Sequence, residues 1–142
     1  MQHYNKTLDL EAFKYYYDKL DGTTYYLQKL LHEAFIDCNS GEVCDRELLD
    51  RTLGLMLEEA QENISKLLGM LTEQQKCALY AIAIEGRAEK VLGAAFIRKH
   101  AISSTSSMQS ALKKLIEMEI LTVNGNTYCV SDVMMRLCII NR

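Results

Sequence analysis

Ser106, Gln109, Ser110, Lys113 and Lys114 follow one another at alternating intervals of three and one residues, and Glu117 continues the row. On a helix that spacing lines them along one face. Their hydroxyl and carboxamide groups can donate to and accept from base edges, and the lysine ammonium groups can meet phosphates. The chemistry on offer is recognition. Arg98 and Lys99 lie just upstream, and Arg87, Lys90 and His100 would add positive charge to the same region. The other reading, which two features favour, is a solvated face used for protein contacts. The segment Asn124-Gly125-Asn126 beyond this row carries no base, and the net charge around it is modest. A second grouping, His32, Cys38 and Cys44, holds the only soft metal ligands near one another. Zinc sites usually show tighter pairing and a fourth ligand, so these residues are expected to be packing and loop residues, with no metal site. No spacing brings a cysteine and a histidine together as a nucleophile and base, and no catalytic residue is assigned.

The recognition row needs a helix to carry it. Met108, Ala111, Leu112, Leu115 and Ile116 have the i, i+3, i+4, i+7, i+8 spacing of one buried stripe, so Ser104 to Met118 is predicted helical with Ser104 as its N-cap. Two strands follow, Ile120 to Val123 and Thr127 to Val130, joined by Asn124-Gly125-Asn126, a strong hairpin signal. Asp132 caps a last helix, Val133 to Ile140, that is apolar on nearly every side and so must be buried. Upstream, Thr72-Glu73-Gln74-Gln75 fits a capping box opening a helix to about Ile84, with Ala78, Leu79, Ile82 and Ala83 inward. A short helix from Gly93 to His100 buries Ala95, Phe96 and Ile97, and Ala101-Ile102-Ser103 makes a tight turn. Three helices followed by a hairpin is the order of a winged helix-turn-helix.

The first half reads as helices throughout. Leu10, Phe13, Tyr17 and Leu20 form one face of a helix ended by Asp21-Gly22. Leu27, Leu30, Leu31, Ala34 and Phe35 mark a second, from Thr24 to Ile36. Asp45 caps a long third helix carrying Leu49, Leu53, Met56, Ala60, Ile64 and Leu67, stopped at Gly69. Tyr15, Tyr16, Tyr17, Tyr25 and Tyr26 are expected to serve helix packing and interfaces. The predicted class is mainly α: a helical bundle over residues 1–70, then a winged helix-turn-helix with one β-hairpin over residues 71–142.

Composition bounds the setting. The 142 residues are 49% hydrophobic and 25% charged, with no proline. That is globular, and no apolar run is long enough for a membrane span. Five cysteines without a C-x-x-C pair, and a start that runs straight into an amphipathic pattern, predict reduced thiols, no signal peptide and a cytoplasmic protein. The net charge of −3 hides an asymmetry: residues 1–85 carry 8 Lys/Arg against 15 Asp/Glu, and residues 86–142 carry 8 against 4. Two modules with different partners are expected.

Leu71 to Gln75, Ala81-Ile82-Ala83, Glu85-Gly86, Ser104 to Leu115 and Tyr128 to Asp132 together resemble the C-terminal winged helix of P-loop ATPases of the archaeal and bacterial AAA/STAND type. Asp21 to Leu30 resembles the helical lid that precedes that domain. The resemblance implies that Gly22, Thr23, Thr24 and Tyr25 form the lid turn facing nucleotide. It also implies an ATPase core in cis as partner, and ATP and magnesium as cofactors of a longer protein. The chain itself has no G-x-x-x-x-G-K-[ST], whose glycines turn backbone N–H groups onto phosphates, so no cofactor is expected within these residues. The resemblance thus implies a non-catalytic regulatory fragment that contacts protein or DNA. The other reading is a free-standing, DNA-binding transcriptional regulator whose N-terminal helices dimerise. The apolar last helix and the tyrosine-rich helices predict exposed apolar surface or a homo-oligomer.

Overall fold

Caps and glycines set the element boundaries in this computed structural model, which describes residues 7–39 and 41–141. Two compact units, residues 1–60 and 61–142, divide within one long helix after Ala60.

In the first unit, β1 (Thr7–Leu8) pairs in parallel with β2 (Val43–Cys44), Thr7 opposite Val43 and Leu8 opposite Cys44. No residue pattern announces this pair, because two residues carry no periodicity. Helix α1 (Leu10–Lys19) starts at Asp9, whose carboxylate accepts from the Glu11 and Ala12 N–H groups. Helix α2 (Thr24–Asp37) buries Leu27, Leu30 and Ala34, while Leu31 and Phe35 are half-buried. Helix α3 (Arg46–Gly69) starts where the Asp45 carboxylate accepts from Leu48 N–H at 3.0 Å. Its residues Leu49, Leu53 and Met56 are buried as expected, and so is Thr52, whose hydroxyl donates to the Leu48 carbonyl at 2.8 Å.

The face of α1 needs correction. Leu10 is 76% exposed and Tyr17 49%, whereas Ala12, Tyr16 and Leu20 are buried. Three consecutive tyrosines offer an apolar group in three directions, so the stripe that is buried depends on the neighbours. Tyr16 is the one chosen: its ring meets Tyr15 edge-on, and its hydroxyl donates to the Arg46 carbonyl at 3.5 Å. The Arg46 guanidinium lies over the Tyr15 ring, 3.9 Å from the centroid.

The second unit follows its sequence closely. Helix α4 (Glu73–Glu85) opens with the full capping box of Thr72 and Gln75. It buries Ala78, Leu79, Ala81, Ile82 and Ala83 over a broad face and leaves Cys77 and Ile84 exposed on the other. The reason is position: α6 (Thr105–Glu117), α7 (Val133–Ile140) and β4 (Thr127–Val130) all pack on it. Helix α5 (Ala94–Lys99) buries Phe96 but leaves Ala95 exposed, correcting the expectation there. Helix α6 buries Met108, Ala111, Leu112 and Leu115, and Ser104 caps it by accepting from Ser107 N–H at 3.1 Å.

Strand β3 (Leu121–Asn124) pairs antiparallel with β4, and Gly125-Asn126 is the two-residue loop. Gly125 has φ +63° at the first loop position and Asn126 has no positive φ, which matches a type II′ turn. Ala88 adds an isolated bridge to Tyr128, unforeseen in the sequence, with N–H to O distances of 2.8 Å both ways.

The apolar last helix finds its cover inside this unit. Met134, Leu137, Cys138 and Ile139 are buried against α4 and β4, so the burial expected of this helix is met within the unit, with Ile140 left 40% exposed. Arg136 on α7 donates from Nε to the Ala83 carbonyl at 2.9 Å, supplying one of the orphan acceptors at the end of α4. Gly86, at φ +79°, ends that helix, and a Cβ there would come within 3.2 Å of the Arg136 guanidinium.

Candidate functional site

Helix α6 is held by its buried stripe, so its opposite face is fixed toward solvent. Ser106, Gln109, Ser110, Lys113 and Lys114 are all exposed there. At the N-terminal end the hydroxyls are tied together: Ser104 to Ser106 at 3.3 Å and Ser103 to Ser107 at 3.1 Å. Neither Lys113 nor Lys114 makes an ion pair among the described residues.

The row borders an open groove of about 620 Å³. Ser106, Gln109, Ser110 and Lys113 line one side, and Glu117 lies further along it. Its floor is apolar: Leu92, 37% exposed, with half-buried Ile116 and Tyr128. Residues 86–93 carry Leu92, and the Ala88–Tyr128 bridge pins that segment to β4. Leu92 and Tyr128 were not singled out in the sequence. Nothing local could have marked them, since Val91 and Leu92 form an apolar pair in a loop with no periodicity to say which one is buried, and the hairpin alone does not say what lies beside Tyr128.

The remaining cations are placed differently. Arg98 and Lys99 end α5 and do not line this groove. Lys99 donates to the Glu85 carboxylate at 2.7 Å, and His100 Nε2 lies 2.9 Å from the same oxygen. Hydrogen bonds from Lys99 and then from His100 hold the Glu85 carboxyl below the usual carboxylate range. The His100 ring also rests on Phe96, with centroids 4.5 Å apart. Lys99 therefore joins α5 to the end of α4, and its charge is already met. A second hollow, about 400 Å³, lies beside this cluster with Arg87, Lys90 and Phe96 in its lining.

In the first unit, Gly22 and Asp21 both take positive φ, and Gly22 N–H donates to the Tyr17 carbonyl at 2.8 Å. A Cβ on Gly22 would meet the Tyr17 hydroxyl at 3.1 Å. Thr23 is the N-cap of α2 without a side-chain capping bond, Thr24 is exposed, and Tyr25 is 66% exposed. Cys38 and Cys44 are buried, His32 is exposed, and the Cys38 thiol faces the Asn39 and Glu42 carbonyls at 3.7 and 3.6 Å. Among the described residues no three His, Cys, Asp or Glu side chains form a metal-binding group, and no helix is long and apolar enough to cross a membrane.

Three helices, a hairpin whose second strand bridges back to Ala88, and an outward polar face on the third helix are the features of a winged helix. A family model described as "Probable winged helix domain" matches residues 62–141. The chain belongs to this winged helix family. The match begins within α3, one residue into the second structural unit. No curated protein and no solved structure matches the chain with significance. Within the winged helix, α5 and α6 form the helix-turn-helix, with Ala101 at φ +53° in the tight turn between them, and β3 and β4 form the wing.

Proposed function

We propose that this chain is a non-catalytic regulatory module that engages a macromolecular partner through the exposed face of α6. The carrying observation is that α6 buries Met108, Ala111, Leu112 and Leu115 on one face and leaves Ser106, Gln109, Ser110, Lys113 and Lys114 outward beside an open groove. Hydroxyl, amide and ammonium groups on a rigid helix recognise a surface, and belonging to the winged helix family supports that use. A photoreactive residue at Gln109 is expected to trap a macromolecule in cells, whereas one at Ile84, exposed on α4, is not. Absence of product at Gln109 would refute the reading.

We further infer that the natural setting is the lid and winged helix of a longer P-loop ATPase, with ATP and magnesium held by a core in cis. The support is the sequence resemblance at Asp21 to Leu30 and Ser104 to Leu115. The reading frame upstream of Met1 tests it, since a Walker A motif is required there. Purified chain is expected to show no magnesium-dependent ATP hydrolysis, because it offers no phosphate cradle.

The adjacent, exposed Lys113 and Lys114 favour one other reading, a free-standing DNA-binding regulator. In that case replacing both with alanine lowers the slope of log affinity against log salt by about 2, uniformly across sequences. An unchanged slope removes α6 from any DNA interface.

A further inference from the structure

We propose that the groove between α6 and Tyr128 takes a short peptide segment of a partner protein, one that carries a large apolar side chain with a carboxylate beside it. This rests on the reading of α6 as the contact surface and names the class of partner.

The groove is amphipathic. Leu92, Ile116 and Tyr128 give it an apolar floor, and at about 620 Å³ it has the capacity to accept a large side chain. Its wall offers Ser106, Gln109 and Ser110, which can both donate and accept, as the alternating N–H and C=O groups of a peptide require. Among the described lining residues Lys113 is the single cation and Glu117 the single anion, one turn further along; exposed Lys114 adjoins Lys113, so a single carboxylate is complementary at the Lys113–Lys114 end. The apolar floor anchors and the charge orients.

Duplex DNA fits these features less well. Its affinity comes from neutralised phosphates, each needing a lysine or arginine. Lys99 is already bonded to Glu85, the wing tip Gly125-Asn126 carries no cation, and Glu117 lines the groove with a negative charge. The thymine methyl is the only apolar group the major groove presents, too small for a floor of three large side chains.

The test is an NMR titration of the full ¹⁵N-labelled chain with two probes. One is a pool of short peptides, each with a Leu, Phe or Trp flanked by Asp or Glu. The other is a random-sequence DNA duplex. The peptides are expected to shift amide signals around Leu92, Lys113 and Tyr128, and Leu92→Ser and Lys113→Glu are each expected to weaken binding by about tenfold or more. Ile84→Ser should change nothing. Both altered residues are exposed, and an otherwise unchanged spectrum verifies that each variant is folded. Shifts caused by the duplex alone overturn the peptide proposal while leaving α6 as the contact surface. Silence toward both probes overturns both readings, and peptide shifts that Leu92→Ser and Lys113→Glu leave intact overturn the groove as the site.

Discussion

Helices α1 and α6 both carry apolar residues at i, i+3 and i+7, and they end up differently. In α6 the set beginning at Met108 is buried and the opposite face is Ser, Gln and Lys. In α1 the comparable set splits: Leu10 and Tyr17 are exposed and Phe13 is half-buried, Leu20 at the helix end is buried as expected, and Ala12 and Tyr16 go in instead. The difference lies in competition. Helix α6 has one apolar face and nothing else to bury. Helix α1 has two overlapping ones, because Tyr15, Tyr16 and Tyr17 point in three directions 100° apart. A periodic pattern specifies an orientation only where the alternative face is polar.

Core truncation tests this contrast most strongly. Leu115→Ala in α6 and Tyr16→Ala in α1 are each expected to cost about 3 kcal/mol, within the range for large buried side chains. Leu10→Ala should cost no more than about 0.5 kcal/mol, as for an exposed position. Amide hydrogen exchange read separately in each unit measures all three. A large loss from Leu10→Ala would show that the periodic face of α1 is covered after all.

The closure between α4 and α7 comes next. Gly86→Ala combines a positive φ with a contact to the Arg136 guanidinium, and is expected to destabilise the winged helix by about 1–3 kcal/mol. Arg136→Ala removes the bond to the Ala83 carbonyl and should cost about 1.5–3 kcal/mol. In the Arg136→Ala background the Gly86→Ala penalty is expected to fall, because the steric part is gone and the φ strain remains. Strictly additive costs would show that the guanidinium does not sit against Gly86.

Capping is a smaller, purely local effect. Thr72→Ala and Ser104→Ala should each cost about 1 kcal/mol, seen as a lower urea midpoint with unchanged slope. Comparable losses at both sites would show that the sequence signals at α4 and α6 act as the local geometry indicates. A negligible loss at either would mean that tertiary packing alone holds that helix start.

The smallest effect is expected from Glu85. Its carboxyl is held below its ordinary value in the folded protein, so its stabilisation is present above the unfolded carboxyl's pKa. It is lost as pH falls through the lowered folded value. Glu85→Gln should therefore reduce stability near neutrality and flatten the acid side of the stability profile. An unchanged acid limb would disconnect this carboxylate from the Lys99 and His100 contacts.

The caps at Thr72, Ser104 and Asp132, the stripe of α6, the hairpin and the winged helix order were legible in the sequence. Each depends on interactions within a few residues, or on an apolar face with no rival. The same holds for the outward row from Ser106 to Lys114, which is simply what remains when the buried stripe is fixed. Other features needed the tertiary structure: the face of α1, the pairing of Thr7–Leu8 with Val43–Cys44, the bond from Lys99 to Glu85, and the cover over α7. So did the groove, since Leu92 and Tyr128 are brought to its lining by a bridge between residues 88 and 128 that leaves no periodic trace. Local sequence determines which groups a helix presents. What those groups stand beside is decided by contacts between residues far apart in the chain, where several partners satisfy the same pattern and only the assembled packing selects one.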